Sequence, residues 1–210
     1  MQTWIQMLRK KWSEMSSGLV DTILLIENIE IDLKQMLLKE FLNNNLRNDG
    51  IQVKAFGYIQ SKCLLLPLNI RYLASNVIYR SYYRWLDALL DETKDFNARI
   101  NKLLNTPFVS VYDFNGEIVS LRKQIENIIT QDKRKISPEV MHQHFLERKL
   151  REDEKKYLIC LNFGEKSKNI ENLIFKYYNY IQRREDEYNK FCKENNLKRS
   201  NWRCKILEKN

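Results

Sequence analysis

Residues that break a chain are scarce in this sequence, and nearly all of them fall between segments of helical periodicity. Only 5 glycines and 3 prolines occur in 210 residues, about a third of average usage. A sandwich, a barrel or any many-stranded fold needs frequent turns, and turns draw on these two residues. Gly18, Gly50, Pro67, Pro107, Gly116, Pro138 and Gly164 lie at or near the ends of helix-period segments, and only Gly57 lies inside one. With 43% apolar residues to build a core, the chain is predicted to be all-α, a helical bundle with long helices.

The apolar spacing predicts six or seven helices. The first covers about Thr3 to Met15 and stops at Ser16-Ser17-Gly18, with Trp4, Ile5, Leu8 and Trp12 on one face and Arg9, Lys10 and Lys11 opposite. Such a face packs into a core, or lies on a membrane or in a partner groove. The second, from about Val20 to Leu46, is apolar over so wide an arc (Ile23, Leu24, Ile26, Leu33, Leu37, Leu38, Phe41, Leu42) that burial on two sides is expected. Asn43-Asn44-Asn45 and Asn48-Asp49-Gly50 end it. Ile51 to Leu66 forms the least regular helical segment, interrupted by Gly57. One long helix is then expected from about Asn69 to Asn105, its core stripe made of Ile70, Ala74, Val77, Ile78, Trp85 and Leu89.

After Thr106-Pro107, the residues Phe108, Val109, Val111 and Tyr112 precede Asn115-Gly116, a common two-residue hairpin turn. Because Ile118, Leu121, Ile125, Ile128 and Ile129 return to the helical period, a short extended piece near 108–114 leading into a helix is expected. Ser137-Pro138-Glu139 combines a capping hydroxyl, a proline at the first helical position and an acid in the first turn. The helix it starts should reach about Cys160 and end near Gly164.

The last helix, from near Ser167, has the sharpest pattern. Ile170, Ile174, Tyr177, Ile181, Arg184, Tyr188, Phe191 and Asn195 alternate steps of four and three, a coiled-coil-like seam with two polar positions. Residues 1–164 are accordingly read as a bundle domain and 165–210 as a C-terminal arm with a basic tail, packed on that domain or apart from it. Ile170, Ile174, Tyr177, Ile181, Tyr188 and Phe191 are the candidate interface for a homo- or hetero-oligomer. Arg151-Glu152-Asp153-Glu154 recurs as Arg184-Glu185-Asp186-Glu187; the flanking residues differ, so the echo is read as coincidence in a charged sequence.

Lys and Arg number 36 against 27 Asp and Glu, a formal net charge of +9, which favours encounters with polyanions. From Gly50 to Leu86 the chain carries no acid, and Lys54, Lys62, Arg71, Arg80 and Arg84 alternate with Phe56, Tyr58, Tyr72, Tyr79, Tyr82, Tyr83 and Trp85. Cations meet phosphate and rings stack on unpaired bases, so this composition suits nucleic acid. Helical geometry places Arg80 and Arg84 on one face with Tyr83 beside them. A second basic region is the tail, where Lys198, Arg199, Arg203 and Lys205 surround Trp202; an exposed indole there would complete a clamp, and an indole folded back would not.

Enzyme signals are sparse. No Gly-rich phosphate loop, nucleophile elbow or His-Glu-x-x-His pattern occurs. His142 and His144, the two histidines, fall on different faces of a helix and lack a third ligand, so no metal is expected. Cys63, Cys160, Cys192 and Cys204 form no close pair, which argues against zinc and for buried thiols in a reducing compartment. No apolar run reaches the roughly 18 residues of a membrane span; Leu19 to Ile31 is broken by Asp21, Glu27 and Glu30. The expectation is a cytoplasmic, cofactor-free, non-enzymatic protein that binds RNA, DNA or a ribonucleoprotein. The alternatives are an assembly module, of a virion or mobile element for instance, acting through the 170–195 seam, and a ribonuclease-like enzyme using His142 or His144.

Overall fold

The computed structural model describes residues 25–66, 68–106 and 137–204, and over these residues the chain is helical with no strand. The helices are α1 (residues 25–42), α2 (Asp49–Cys63), α3 (Leu68–Leu90), α4 (Phe96–Asn105), α5 (Pro138–Leu161) and α6 (Lys168–Glu194), with a 3-10 turn, Gly164–Lys166, between the last two. The all-α class is therefore correct. The helix expected at Thr3–Met15, the segment near 108–114 and the helical pattern that follows it lie outside the described residues.

Asparagine ends helices here in the way glycine commonly does. Past α1, the Asn45 N–H donates to the Glu40 carbonyl at 2.9 Å and the Asn44 N–H to the Phe41 carbonyl at 3.1 Å, with Asn44 at φ 54°. Past α6, the Leu197 N–H reaches the Cys192 carbonyl at 2.9 Å and the Asn196 N–H the Lys193 carbonyl at 3.4 Å, with Asn196 at φ 52°. Both are Schellman closures, and a left-handed asparagine is tolerated because its short polar side chain bonds locally. Helix starts are capped as their residues suggest. Asn48 accepts from the Gly50 N–H, Asp95 from the Ala98 N–H, and Ser137 from the Val140 N–H ahead of Pro138.

The single helix expected over Asn69–Asn105 is two helices. Asp91 Oδ1 accepts from the Thr93 backbone N–H at 3.2 Å, an Asx turn that diverts the chain after Leu90. Arg99 Nε then donates to the Asp91 carbonyl at 2.7 Å, fastening the corner. Acids at this corner leave the apolar spacing intact through Ile100, Leu103 and Leu104, so periodicity carries straight across the bend.

One core collects the first four helices. Ile29, Leu33, Leu37 and Leu38 of α1 meet Ala55 and Ile59 of α2, Ala74, Val77, Ile78, Trp85 and Leu89 of α3, and Leu103 of α4. Ile70 is not among the described side chains. Trp85 is fully buried; its indole N–H donates to the Thr106 carbonyl at 2.8 Å, and Lys34 Nζ sits 4.9 Å above its ring. The same core includes Ile159, Cys160 and Phe163 at the end of α5, and Ile170 and Tyr177 early in α6. At Gly164 an added Cβ would stand 3.0 Å from Ile174 Cδ1, so the turn closes tightly against α6. From there α5 and α6 run antiparallel to a second, smaller core of Leu146, Leu150, Ile181, Tyr188, Cys192 and Trp202. The two clusters thus follow one another along the hairpin.

A buried ion network ties α1 to the hairpin. Glu30 meets Lys34 at 2.9 Å through one carboxylate oxygen and Lys155 at 3.0 Å through the other. Lys155 also pairs with Glu152 at 2.9 Å, Arg151 pairs with Glu27, and Gln35 donates to the Leu158 carbonyl at 2.8 Å. Burial alone would raise the Glu30 carboxyl, but Lys155 and Lys34 outweigh it and hold the group below the usual glutamate value. Burial opposes the Lys155 charge too, yet Glu30 and Glu152 keep that ammonium raised, while burial draws Lys34 down.

Two outcomes are expected. Glu30→Gln leaves two buried ammoniums without their shared carboxylate and should cost about 3 kcal/mol at neutral pH by urea denaturation. Since the folded Glu30 value lies below the unfolded one, its stabilisation is complete above the ordinary glutamate range and disappears as pH falls through the folded value. The gap between wild type and variant should therefore narrow in acid. At the α6 terminus, Asn196→Ala should destabilise by about 1 kcal/mol and Asn196→Gly should not, a difference that thermal melts of the two variants measure.

Candidate nucleic-acid interface

Arg80, Tyr83 and Arg84 project from one face of α3, and all three are exposed. No carboxylate pairs with either arginine among the described residues. Tyr83 is held at its edges by Phe56 (ring centroids 6.0 Å) and Tyr82 (5.9 Å), yet remains 43% exposed. Tyr72 lies about three turns earlier on the same face and is 81% exposed. Two rings flanking two unpaired guanidiniums can contact phosphate and stack on bases without displacing any core residue.

Most other members of the basic-aromatic stretch serve the fold. Tyr82 and Trp85 are fully buried, and burial pushes the Tyr82 phenol up to about 12. Phe56, Tyr58 and Tyr79 pack partly against the core, with the Tyr58 hydroxyl donating to Asp32. Arg71 donates to the Leu64 and Leu66 carbonyls at 2.7 and 3.2 Å and so closes the α2–α3 turn. Leu64, Leu65 and Leu68 leave that turn apolar and exposed.

The tail is a strap instead of a free clamp. Trp202 is 5% exposed, inserted in the second core, because α5 and α6 offer its backbone a row of partners. Gln143 donates to the Lys198 carbonyl at 2.9 Å, the Ser200 hydroxyl donates to Glu147 at 2.6 Å, and the Ser200 N–H donates to the Tyr188 hydroxyl at 3.0 Å. Arg203 pairs with Glu154 at 3.2 Å and Glu185 at 3.5 Å, so its charge is spent within the chain. Lys198 and Arg199 remain exposed, Arg199 donating to Asn189 at 3.1 Å. Lys205 lies outside the described residues.

The α6 seam is also occupied. Ile170, Tyr177, Ile181 and Tyr188 are buried within the chain, and Ile174 and Phe191 are half-buried. At the polar seam position, Arg184 Nε lies 2.6 Å from Asp153 Oδ2 of α5. The heptad spacing thus finds its partner in α5, and an oligomer built on it would have to open the hairpin. The charged echo is structural: Asp153 pairs with Arg184, while Glu154 and Glu185 share Arg203.

The histidines do not converge. His142 packs on Phe191 (4.7 Å) and Phe145 (5.9 Å), whereas His144 Nδ1 lies 3.3 Å from Glu147. Among the described residues no group of three or more His, Cys, Asp and Glu is placed to hold a metal. Cys63, Cys160 and Cys192 are buried and Cys204 partly so, all as free thiols; burial pushes Cys160 up to about 12, far from a reactive thiolate. No helix among the described residues is long and apolar enough to cross a membrane.

One concavity was not anticipated from the sequence. Arg148, Lys149, Glu152, Asp153 and Lys156 of α5 and Arg184 of α6 line an open cleft of about 300 Å³. The signal was present, since residues 148, 152 and 156 recur every four along α5, but the acids interspersed among them made the stretch look like an ordinary solvated face. Comparison with known protein families, curated proteins and solved structures finds no match to this chain.

An internal seam has a measurable consequence. Ile181→Asn should destabilise the hairpin by about 3 kcal/mol in urea denaturation without lowering the native molar mass seen by light scattering. A fall in mass with the fold intact would instead place the seam between chains.

Proposed function

We propose that this protein binds single-stranded nucleic acid, free or within a ribonucleoprotein, through the exposed face of α3, as a non-enzymatic module. The observation that carries this reading is the setting of Arg80 and Arg84: both are exposed on α3 beside exposed Tyr83, with exposed Tyr72 on the same face. Arg47, Arg151, Arg184 and Arg203 each pair with a carboxylate. Arg80 and Arg84 have none, on a helix with no acid before Asp87. Cations left unneutralised beside two exposed rings suit a strand whose phosphates and bases are both accessible. Lys198 and Arg199 at the arm add basic surface without an exposed ring.

Replacing Arg80 and Arg84 together by Ala should weaken binding to a single-stranded oligonucleotide. The slope of log K against log salt should flatten by about 1.4, the value for two lost phosphate contacts on a single strand. Tyr83→Ala should cost about 1–3 kcal/mol of binding with the slope unchanged, as expected for a lost stack. Fluorescence anisotropy across a salt series reads both, and binding that is insensitive to salt and to all three substitutions defeats the proposal.

A further inference from the structure

The α5–α6 cleft has a chemistry of its own, independent of the α3 face. Its rim brings together Arg148, Lys149, Lys156 and Arg184 with the acids Glu152 and Asp153. Both acids are already engaged: Glu152 pairs with Lys155 at 2.9 Å, and Asp153 with Arg184 Nε at 2.6 Å. The cations are each steadied by a neighbour that leaves donors unused. Arg148 and Lys149 lie over the Phe145 ring at 5.8 and 4.8 Å. A ring face holds a cation through its quadrupole without accepting its N–H donors. Lys156 Nζ gives one hydrogen bond, to Asn105 at 2.8 Å, and stands 5.7 Å over Tyr177. Arg184 uses Nε on Asp153, and its remaining guanidinium nitrogens make no other ion pair among the described residues.

We propose that this cleft is a binding site for a phosphate or diphosphate group. Spare N–H donors from two arginines and two lysines border one concavity, and each of its two carboxylates already has a cationic partner, Lys155 for Glu152 and Arg184 for Asp153. Guanidinium forks match the paired oxygens of a phosphoryl group, and the two ammoniums supply point charge. Asp153 acts as a positioning residue: it orients Arg184 from beneath and presents little of its own charge, because it is buried behind that guanidinium.

The test is isothermal titration calorimetry of the whole chain with inorganic pyrophosphate at low salt. Wild type should give saturable binding, and Arg148→Ala with Lys149→Ala, both on exposed positions, should weaken it about tenfold or more with the circular-dichroism melt unchanged. Arg80→Ala with Arg84→Ala should leave pyrophosphate affinity as it is, so failure of the α3 reading and failure of this one are separable. Lys193→Ala with Lys198→Ala, which removes two exposed cations outside the cleft, should also have no effect. Absence of saturable binding by wild type overturns the proposal, and so does an equal loss in the outside-cation variant. Competition by a single-stranded oligonucleotide would identify the phosphate as one of a nucleic-acid backbone, and pyrophosphate binding without such competition would identify a small phosphorylated ligand.

Discussion

The Glu30 carboxylate, buried between two buried ammoniums, is the constraint on which the arrangement of this chain depends. An isolated charge at that depth would be too costly to retain, and a lone pair would do little better than an apolar substitute. Glu30 is tolerated because each of its oxygens has its own cation, one from α1 and one from α5. Lys34 in turn lies over Trp85 of α3 and reaches the Leu104 carbonyl of α4, so four helices share one electrostatic node. Apolar contacts bring these helices together, but they are forgiving of sliding. A carboxylate with two fixed partners is not, and it sets the register of the hairpin on α1.

That register positions both candidate surfaces. Fixing Lys155 inward on α5 turns Lys149 and Lys156 outward, since at about 100° per residue they stand about 120° and about 100° around the helix from it. Fixing Trp85 inward on α3 turns Arg80, Tyr83 and Arg84 outward by the same geometry. Each basic surface is therefore the reverse side of a buried contact. The acids Glu27 and Glu30, which break the most apolar run of the sequence, are the residues that lock α1 to α5.

Helices were legible in this sequence wherever periodicity and capping residues agreed. Ser137-Pro138 starts α5 and Ser167 precedes α6 as their residues suggest, and the irregular stretch around Gly57 is helical because Asn48 caps it. The bend at Asp91–Asp95 was not legible, because aspartates can cap a helix as readily as they can decorate one. Heptad spacing announced that α6 has a partner without saying which one, since an intramolecular helix and a second chain impose the same pattern. Trp202 illustrates the same limit. An indole in a basic tail has one sequence signature whether it faces a ligand or a core, and the difference lies in Gln143, Glu147 and Glu154, residues about 50 positions away whose side chains engage the tail.

Charge requires the same discrimination. A net charge of +9 says that cations are in excess and not where they are free. Folding sorts them: Lys34, Arg151, Lys155, Arg184 and Arg203 are paired with carboxylates, and Arg71 and Arg99 bind carbonyls at turns. Among the exposed cations that remain, which also include Lys39, Lys54, Arg183, Lys193, Lys198 and Arg199, Arg80 and Arg84 lie on the face of exposed tyrosines and Arg148 and Lys149 lie over an exposed phenylalanine. An aromatic neighbour steadies a cation without neutralising it, whereas a carboxylate does both. A basic residue held by a ring and by no carboxylate is thus a cation whose charge is kept available, as Arg148 and Lys149 are over Phe145.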